Sequence, residues 1–395
     1  MATATFALNA GMEPAERLQR LQGYLQQDPS NPALLAETFD AAVAAGRHEF
    51  AQGLLDAAQW LDRDAPEWAF RRARLCIATR DLAQAETLLE DLQRQLGGHP
   101  AVAHDLAWVA FLRGDMPQCR ALLQPWLDAH GDELGAAPPA EVAGALQALW
   151  LRASHALRLV DAAWAWAWAL HLAGRLQPAA QGVASLLAID ADCFDEARTL
   201  SDLALRSPTV SPEPLVARAS VALAEGQTAQ ATALLERALL ANPHDGRTWL
   251  TLGLTSLRDG RVARAQQQLE RAALALGVHI GAWHALGWAR LLQRDPAGAQ
   301  AAFARALEID GNFAESHGAM GLVLALAGSA EKAEHHLAVC DRLDARNVTG
   351  RYARAWLSGE AQDTAKLQAL AARLFDRPGF FAGRLSDSVP VVDQA

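Results

Sequence analysis

Small residues recur along this chain at a spacing of 34. Ala197, Ala231, Ala265, Ala299 and Ala333 keep that step, and Ala51, Ala85 and Cys119 keep it nearer the N-terminus. One step back from Ala197 lies Ala163, and the gap from Cys119 to Ala163 is 44, one period plus ten. The ten extra residues fit 134–143, where Gly135-Ala-Ala-Pro-Pro139 reads as a loop insertion. A fixed period of this size means a stack of equivalent units, each too small to bury its own apolar face. Nine units then begin near residues 32, 66, 100, 144, 178, 212, 246, 280 and 314.

Each unit reads as two helices. The first carries apolar residues at helical spacing and ends near a glycine, with Gly46, Gly114, Gly226, Gly260 and Gly328 in one register. The second starts with polar residues and buries its alanine and leucine. Pro29 and Pro243 sit where that helix stops, because proline cannot continue it.

The strongest units lie in 243–306. Trp249, Leu252 and Gly253 recur as Trp283, Leu286 and Gly287, and Ala265, Leu269 and Ala272 recur as Ala299, Phe303 and Ala306. In these residues the chain resembles the tetratricopeptide repeat family, and the resemblance extends over residues 13–376. It implies an all-α fold, a right-handed α-solenoid of stacked antiparallel helix pairs. The organisation expected is a disordered stretch 1–12, a capping helix 13–29, three units over 32–133, the loop 134–143, two degenerate units over 144–211, four regular units over 212–347, capping helices over 348–376 and a tail 377–395.

Composition narrows the function. The chain has 395 residues and a formal net charge of −10, which argues against nucleic acid as a partner. Its longest uncharged apolar run, Ala162–Leu170, is far shorter than the roughly 20 residues a membrane helix needs. No secretory signal is visible at the start, so a cytoplasmic, bacterial-type protein is expected. The only lysines are Lys332 and Lys366, neither after a glycine-rich loop, and no metalloprotease, serine hydrolase or kinase motif occurs. His335, His336 and Cys340 imitate a metal cluster, but Cys340 sits at a buried repeat position and reads as core. No enzyme activity, cofactor or metal is expected.

In the resembling family, the fifth and ninth positions of each first helix face the groove that binds partners. Here that selects Phe70 and Arg74, His104 and Trp108, Leu250 and Leu254, and His284 and Trp288, followed by Trp356 in the cap. The lysine and asparagine that family members use to grip a C-terminal carboxylate are absent at these positions. A wall rich in Trp, His, Leu and Phe implies an apolar or helical segment of a protein partner. Arg71, Arg72 and Arg74 read as a solvated face paired with local acids. Trp150, Trp164, Trp166 and Trp168 form a second aromatic candidate, suited to a partner or to self-association. The last three spread over about 200° of helix, because each residue turns about 100°. The expected function is a non-enzymatic scaffold or adaptor, with a secretion or assembly chaperone as its specialised form. The alternative is a regulatory or structural subunit of a larger enzyme or secretion complex.

Overall fold

The turn inside each helix pair is the same nine times. Residues 46, 80, 114, 158, 192, 226, 260, 294 and 328 all have a positive φ, and the residue after each donates its N–H to the carbonyl five residues before it, as Arg47 does to Ala42 at 2.8 Å and Ser329 to Leu324 at 2.9 Å. This is a Schellman C-cap, which satisfies carbonyls left over by the first helix and turns the chain sharply into the second. Five of the nine residues are glycines; the other four are Arg80, Arg158, Asp192 and Arg294, with φ between 57° and 67°. The turn is therefore a property of the stack and is kept where no glycine favours it.

The computed structural model describes residues 14–57, 65–128, 139–207 and 211–360, and among them holds twenty helices and no strand. The chain divides into two units, 1–159 and 160–395. The first contains α1 (Pro14–Gln27), α2 (Pro32–Ala44), α3 (His48–Ala57), α4 (Pro66–Ala78), α5 (Leu82–Leu96), α6 (Pro100–Leu112), α7 (Met116–Asp128) and α8 (Ala140–Ala156). The second contains α9 (Val160–Leu172), α10 (Pro178–Asp190), α11 (Phe194–Ala204), α12 (Pro212–Ala224), α13 (Thr228–Ala241), α14 (Gly246–Arg258), α15 (Val262–Leu276), α16 (Ile280–Leu292), α17 (Pro296–Ile309), α18 (Ala314–Leu326), α19 (Ala330–Leu343) and α20 (Val348–Leu357). Proline opens α2, α4, α6, α10 and α12, where its missing N–H is one the helix would leave unbonded anyway. One expectation is corrected here: α8 begins at Ala140, so the insertion loop does not reach 143. Pro139 is its N-cap residue and Glu141 sits favourably in the first turn. Residues 134–138, the N-terminal 1–12, the second capping helix expected after 360 and the tail lie outside the described residues.

The recurring small residues are the packing points of the second helices. Ala51, Ala85, Cys119, Ala163, Ala197, Ala231, Ala265, Ala299 and Ala333 are all buried. Opposite them in the strong units a glycine of the first helix lets a large side chain in. An added Cβ would stand 2.6 Å from Leu269 at Gly253, 2.4 Å from Phe303 at Gly287 and 2.6 Å from Leu337 at Gly321. The cores are local: one joins Leu18, Leu35, Phe39, Leu55 and Trp68, another Ala73, Leu89, Leu92 and Val109, and later ones centre on Leu235, Leu269 and Phe303. In the first unit the first helices of successive pairs touch in order, α2 against α4, α4 against α6 and α6 against α8.

Candidate partner-binding site

That run of first helices brings one register position together. The ninth residues of the four pairs, Asp40 on α2, Arg74 on α4, Trp108 on α6 and Arg152 on α8, line one cavity of about 440 Å³. Its apolar walls include Phe39, Val43, Ile77 and Leu149. His104, one turn before Trp108, and Asp105 complete it. The volume lies in the range of ligand sites, about 300–1,000 Å³.

The polar groups in this cavity are arranged unequally. Asp40 takes Nε of Arg71 at 3.1 and 3.2 Å and Nη2 at 3.1 Å, a forked pairing that engages the carboxylate from outside the cavity. Asp105 is buried, and its Oδ1 lies 2.8 Å from Nδ1 of His104. Its Oδ2 is also buried and takes no hydrogen bond among the described residues; Nε of Arg74 stands 3.6 Å away, an ion pair without a hydrogen bond. The Arg74 side chain is 61% exposed and its guanidinium carbon lies 5.8 Å from the centre of the Phe70 ring. Trp108 is half-buried and stacks on Phe111, 5.4 Å between centroids and 7° from parallel.

Of the residues selected from sequence, Arg74, His104 and Trp108 thus meet in one cavity. Phe70 packs instead against the core of Ala73 and Leu89. In the second unit the pattern differs and corrects the sequence reading. His284 and Trp288 are 2% and 8% exposed, and the Trp288 ring meets Phe303 edge-on at 6.1 Å. His284 also contacts Phe303 at 5.2 Å and Phe313 at 6.1 Å between centroids. Aromatic side chains from the neighbouring segments cover this pair, so it is core. Leu250 and Leu254 are half-buried against the Leu269 core, and Trp356 against the Phe303 core.

The second aromatic candidate also resolves into packing. Trp150 is buried, donates Nε1–H to Oε1 of Gln124 at 2.9 Å and carries the Arg120 guanidinium 4.7 Å from its ring centre. Trp164 is buried and tilts against Trp168 at 5.4 Å, as i and i+4 residues can; Trp168 stacks on His171 at 4.9 Å. Trp166 and Trp168 are half-buried.

His336 meets His317, with their Nδ1 atoms 3.0 Å apart, while Nε2 of His317 bonds the Gly311 carbonyl at 2.9 Å. Burial first, and then His317 and His335, push the His336 pKa down. Burial, reinforced by Glu315 and other nearby acids, raises the Cys340 thiol to about 12, which keeps it protonated and a poor metal ligand. Among the described residues no group of three or more His, Cys, Asp or Glu is placed to hold a metal ion, and no helix is long and apolar enough to cross a membrane.

Sequence reasoning missed Asp40, Asp105 and Arg152. The signal for two of them was present: Asp40 and Arg152 stand 34 before Arg74 and 44 after Trp108, the same steps that relate the units.

Residues 222–287 match the family model described as tetratricopeptide repeat. No curated protein sequence matches the chain. Among solved structures, the chain in the crystal structure of the APC/C hetero-tetramer Cut9-Hcn1 is 13% identical, with a TM-score of 0.63 over 89% of this chain and 67% of that one. The Pseudomonas aeruginosa pilF structure is 19% identical, with a TM-score of 0.41 over 52% of this chain and 94% of that one. A MamA structure, AMB-1 P212121, is 21% identical, with a TM-score of 0.37 over 42% and 98%. Nine equivalent helix-pair turns and the fold shared with the Cut9-Hcn1 chain make this protein an α-solenoid of helix pairs, of which residues 222–287 match the tetratricopeptide repeat.

Proposed function

We propose that this chain is a non-enzymatic scaffold that docks a segment of a protein partner against the first helices of residues 32–156. One observation carries the reading: the same register position of four successive units converges on a single cavity with an aromatic floor and unequally engaged charges. That is a binding geometry rather than a catalytic one, since it holds no nucleophile paired with a base. The groove suits an apolar or helical segment, and a chaperone that shields such a segment during secretion or assembly is the specialised form. The negative net charge supports a protein rather than a nucleic acid as partner, and the composition supports a cytoplasmic setting. Cut9 is described in a hetero-tetramer with Hcn1, which supports an assembly role for a chain of this fold.

A second reading, a structural or regulatory subunit of a larger complex, is favoured by a different surface. Leu240 and Leu274, one period apart on α13 and α15, are 85% and 78% exposed, with Val278 nearby in sequence at 71%. Such a surface suits association with a second protein or a second copy.

A photo-crosslinking residue placed at position 108, and as a control at position 94 on the exposed face of α5, tests the first reading. A partner captured at 108 and not at 94 agrees with it. Equal capture at both positions, or capture only at a crosslinker placed at 274, points to the second.

A further inference from the structure

His336 finds its partner on another helix rather than along its own. His317 on α18 and His336 on α19 bring their Nδ1 atoms to 3.0 Å. The Gly311 carbonyl can only accept, so the His317 Nε2 that lies 2.9 Å from it carries the proton and leaves Nδ1 bare. Metal-binding histidines are oriented in the same way, by an N–H donated to a carbonyl behind the ring. Two imidazole nitrogens that each lie about 2.0–2.1 Å from a tetrahedral metal stand about 3.3 Å apart, so the pair admits an ion by opening about 0.3 Å. His317 is buried, while half-buried His336 leaves a way in from solvent. Burial first, and then His317 and His335, hold the His336 pKa down, which keeps its ring neutral at pH 7. Cys340 takes no part: its Sγ faces the glycines of α18 and α20, 2.9 Å from where a Cβ on Gly350 would stand.

We propose that His317 and His336 are the two protein ligands of a divalent transition-metal site, the Nδ1 of each binding one Zn²⁺, Ni²⁺ or Cu²⁺ ion. No third His, Cys, Asp or Glu among the described residues joins them, so water takes the remaining positions. Neutral imidazole suits these ions, whereas Mg²⁺ and Ca²⁺ require oxygen ligands. The proton held between the two nitrogens moves to Nε2 of His336 by exchange with solvent, so both rings stay neutral and no net proton is released. The bound ion ties α18 to α19 and, through His317, to the carbonyl of Gly311 ahead of α18.

Calorimetric titration of the full chain with ZnCl₂, CuCl₂ and MgCl₂ tests this, on the wild type and on His317→Gln, His336→Gln and His335→Gln, with circular dichroism to establish that each variant keeps its helices. The expected result is one Zn²⁺ or Cu²⁺ per wild-type chain and no Mg²⁺. Affinity falls roughly tenfold or more in His317→Gln and in His336→Gln and holds in His335→Gln. The electron paramagnetic resonance spectrum of the wild type with one equivalent of Cu²⁺ shows two coordinated imidazole nitrogens, a readout that does not depend on any variant folding. Binding that is equal in all four chains marks adventitious capture by the other ten of the twelve histidines and overturns the proposal. So does a loss in His335→Gln as large as in the other two, a single coordinated nitrogen, or no binding.

Discussion

The indole N–H of Trp288 donates to Nε2 of His284 at 2.8 Å. The accepting nitrogen has to be unprotonated, so this imidazole is neutral and carries its proton on Nδ1. Two residues one turn apart, aligned for a groove by their register, are thereby locked edge-on to each other inside the second unit, their rings 72° from parallel. Burial pushes the His284 pKa down to about 3. Unfolded, the same imidazole titrates near 6.5. Between those values the unfolded chain binds a proton that the folded one refuses, so stability is intact above about pH 6.5 and declines as the pH falls toward 3.

The first prediction follows from that linkage. Urea unfolding followed by tryptophan fluorescence should show about 2 kcal/mol less stability at pH 5 than at pH 7 from this histidine. His336, whose pKa is also lowered, adds in the same direction. His284→Leu should flatten the pH dependence while His336 retains its share. An unchanged slope in His284→Leu refutes the assignment.

Two helix glycines, one on a first helix and one on a second, give a contrast in sign. Gly287→Ala drives a methyl group into Phe303, which lies 2.4 Å from the new Cβ, and should cost about 1–3 kcal/mol. Gly53 on α3 has nothing within 4 Å of an added Cβ, and Gly53→Ala should stabilise by up to about 1 kcal/mol through helix propensity. Thermal melts of the two variants distinguish packing from propensity.

Arg80 and Arg294 occupy the left-handed turn position that glycine fills in five other units. Arg80→Gly and Arg294→Gly should each raise stability by about 0.5–1 kcal/mol, the relief of left-handed strain exceeding the entropy glycine adds to the unfolded chain. A lower melting midpoint in either variant shows that its arginine contributes contacts worth more than the strain.

Arg71 shields the Asp40 carboxylate at the edge of the cavity. Because the pair is partly exposed, Arg71→Ala should change stability by less than about 1 kcal/mol. A larger loss in urea unfolding of Arg71→Ala shows that the pair is worth more than a surface ion pair.

How much of this is readable from residues alone depends on what the period controls. The spacing of 34 marks small residues that are buried in the second helices, and also the turns, where Arg80, Arg158, Asp192 and Arg294 stand at positions whose glycine partners are visible. Backbone geometry repeats, so period reveals it. Side-chain exposure does not repeat. His104 and Trp108 share their register positions with His284 and Trp288, yet one pair lines a cavity and the other is covered. The difference comes from Phe303 and Phe313, which close over the second pair and belong to segments a sequence pattern does not place in space. Arg354 makes the same point. On α20, the expected capping helix, it bonds Asp341 on α19 with both Nε and Nη2, at 3.0 and 2.7 Å.

The locality of the cores bears on how the chain comes to be folded during synthesis. The first cluster closes between Leu18 and Leu75, the next between Ala69 and Val109, and the last described one between Trp288 and Ala353. No core among them waits for a strand or helix from the far end of the polypeptide, so loop-closure costs stay small at every stage. As the nascent chain leaves the ribosome, each helix pair can dock on the pair already formed, and the Arg74–Trp108–Arg152 surface is complete once α8 has emerged, well before translation ends.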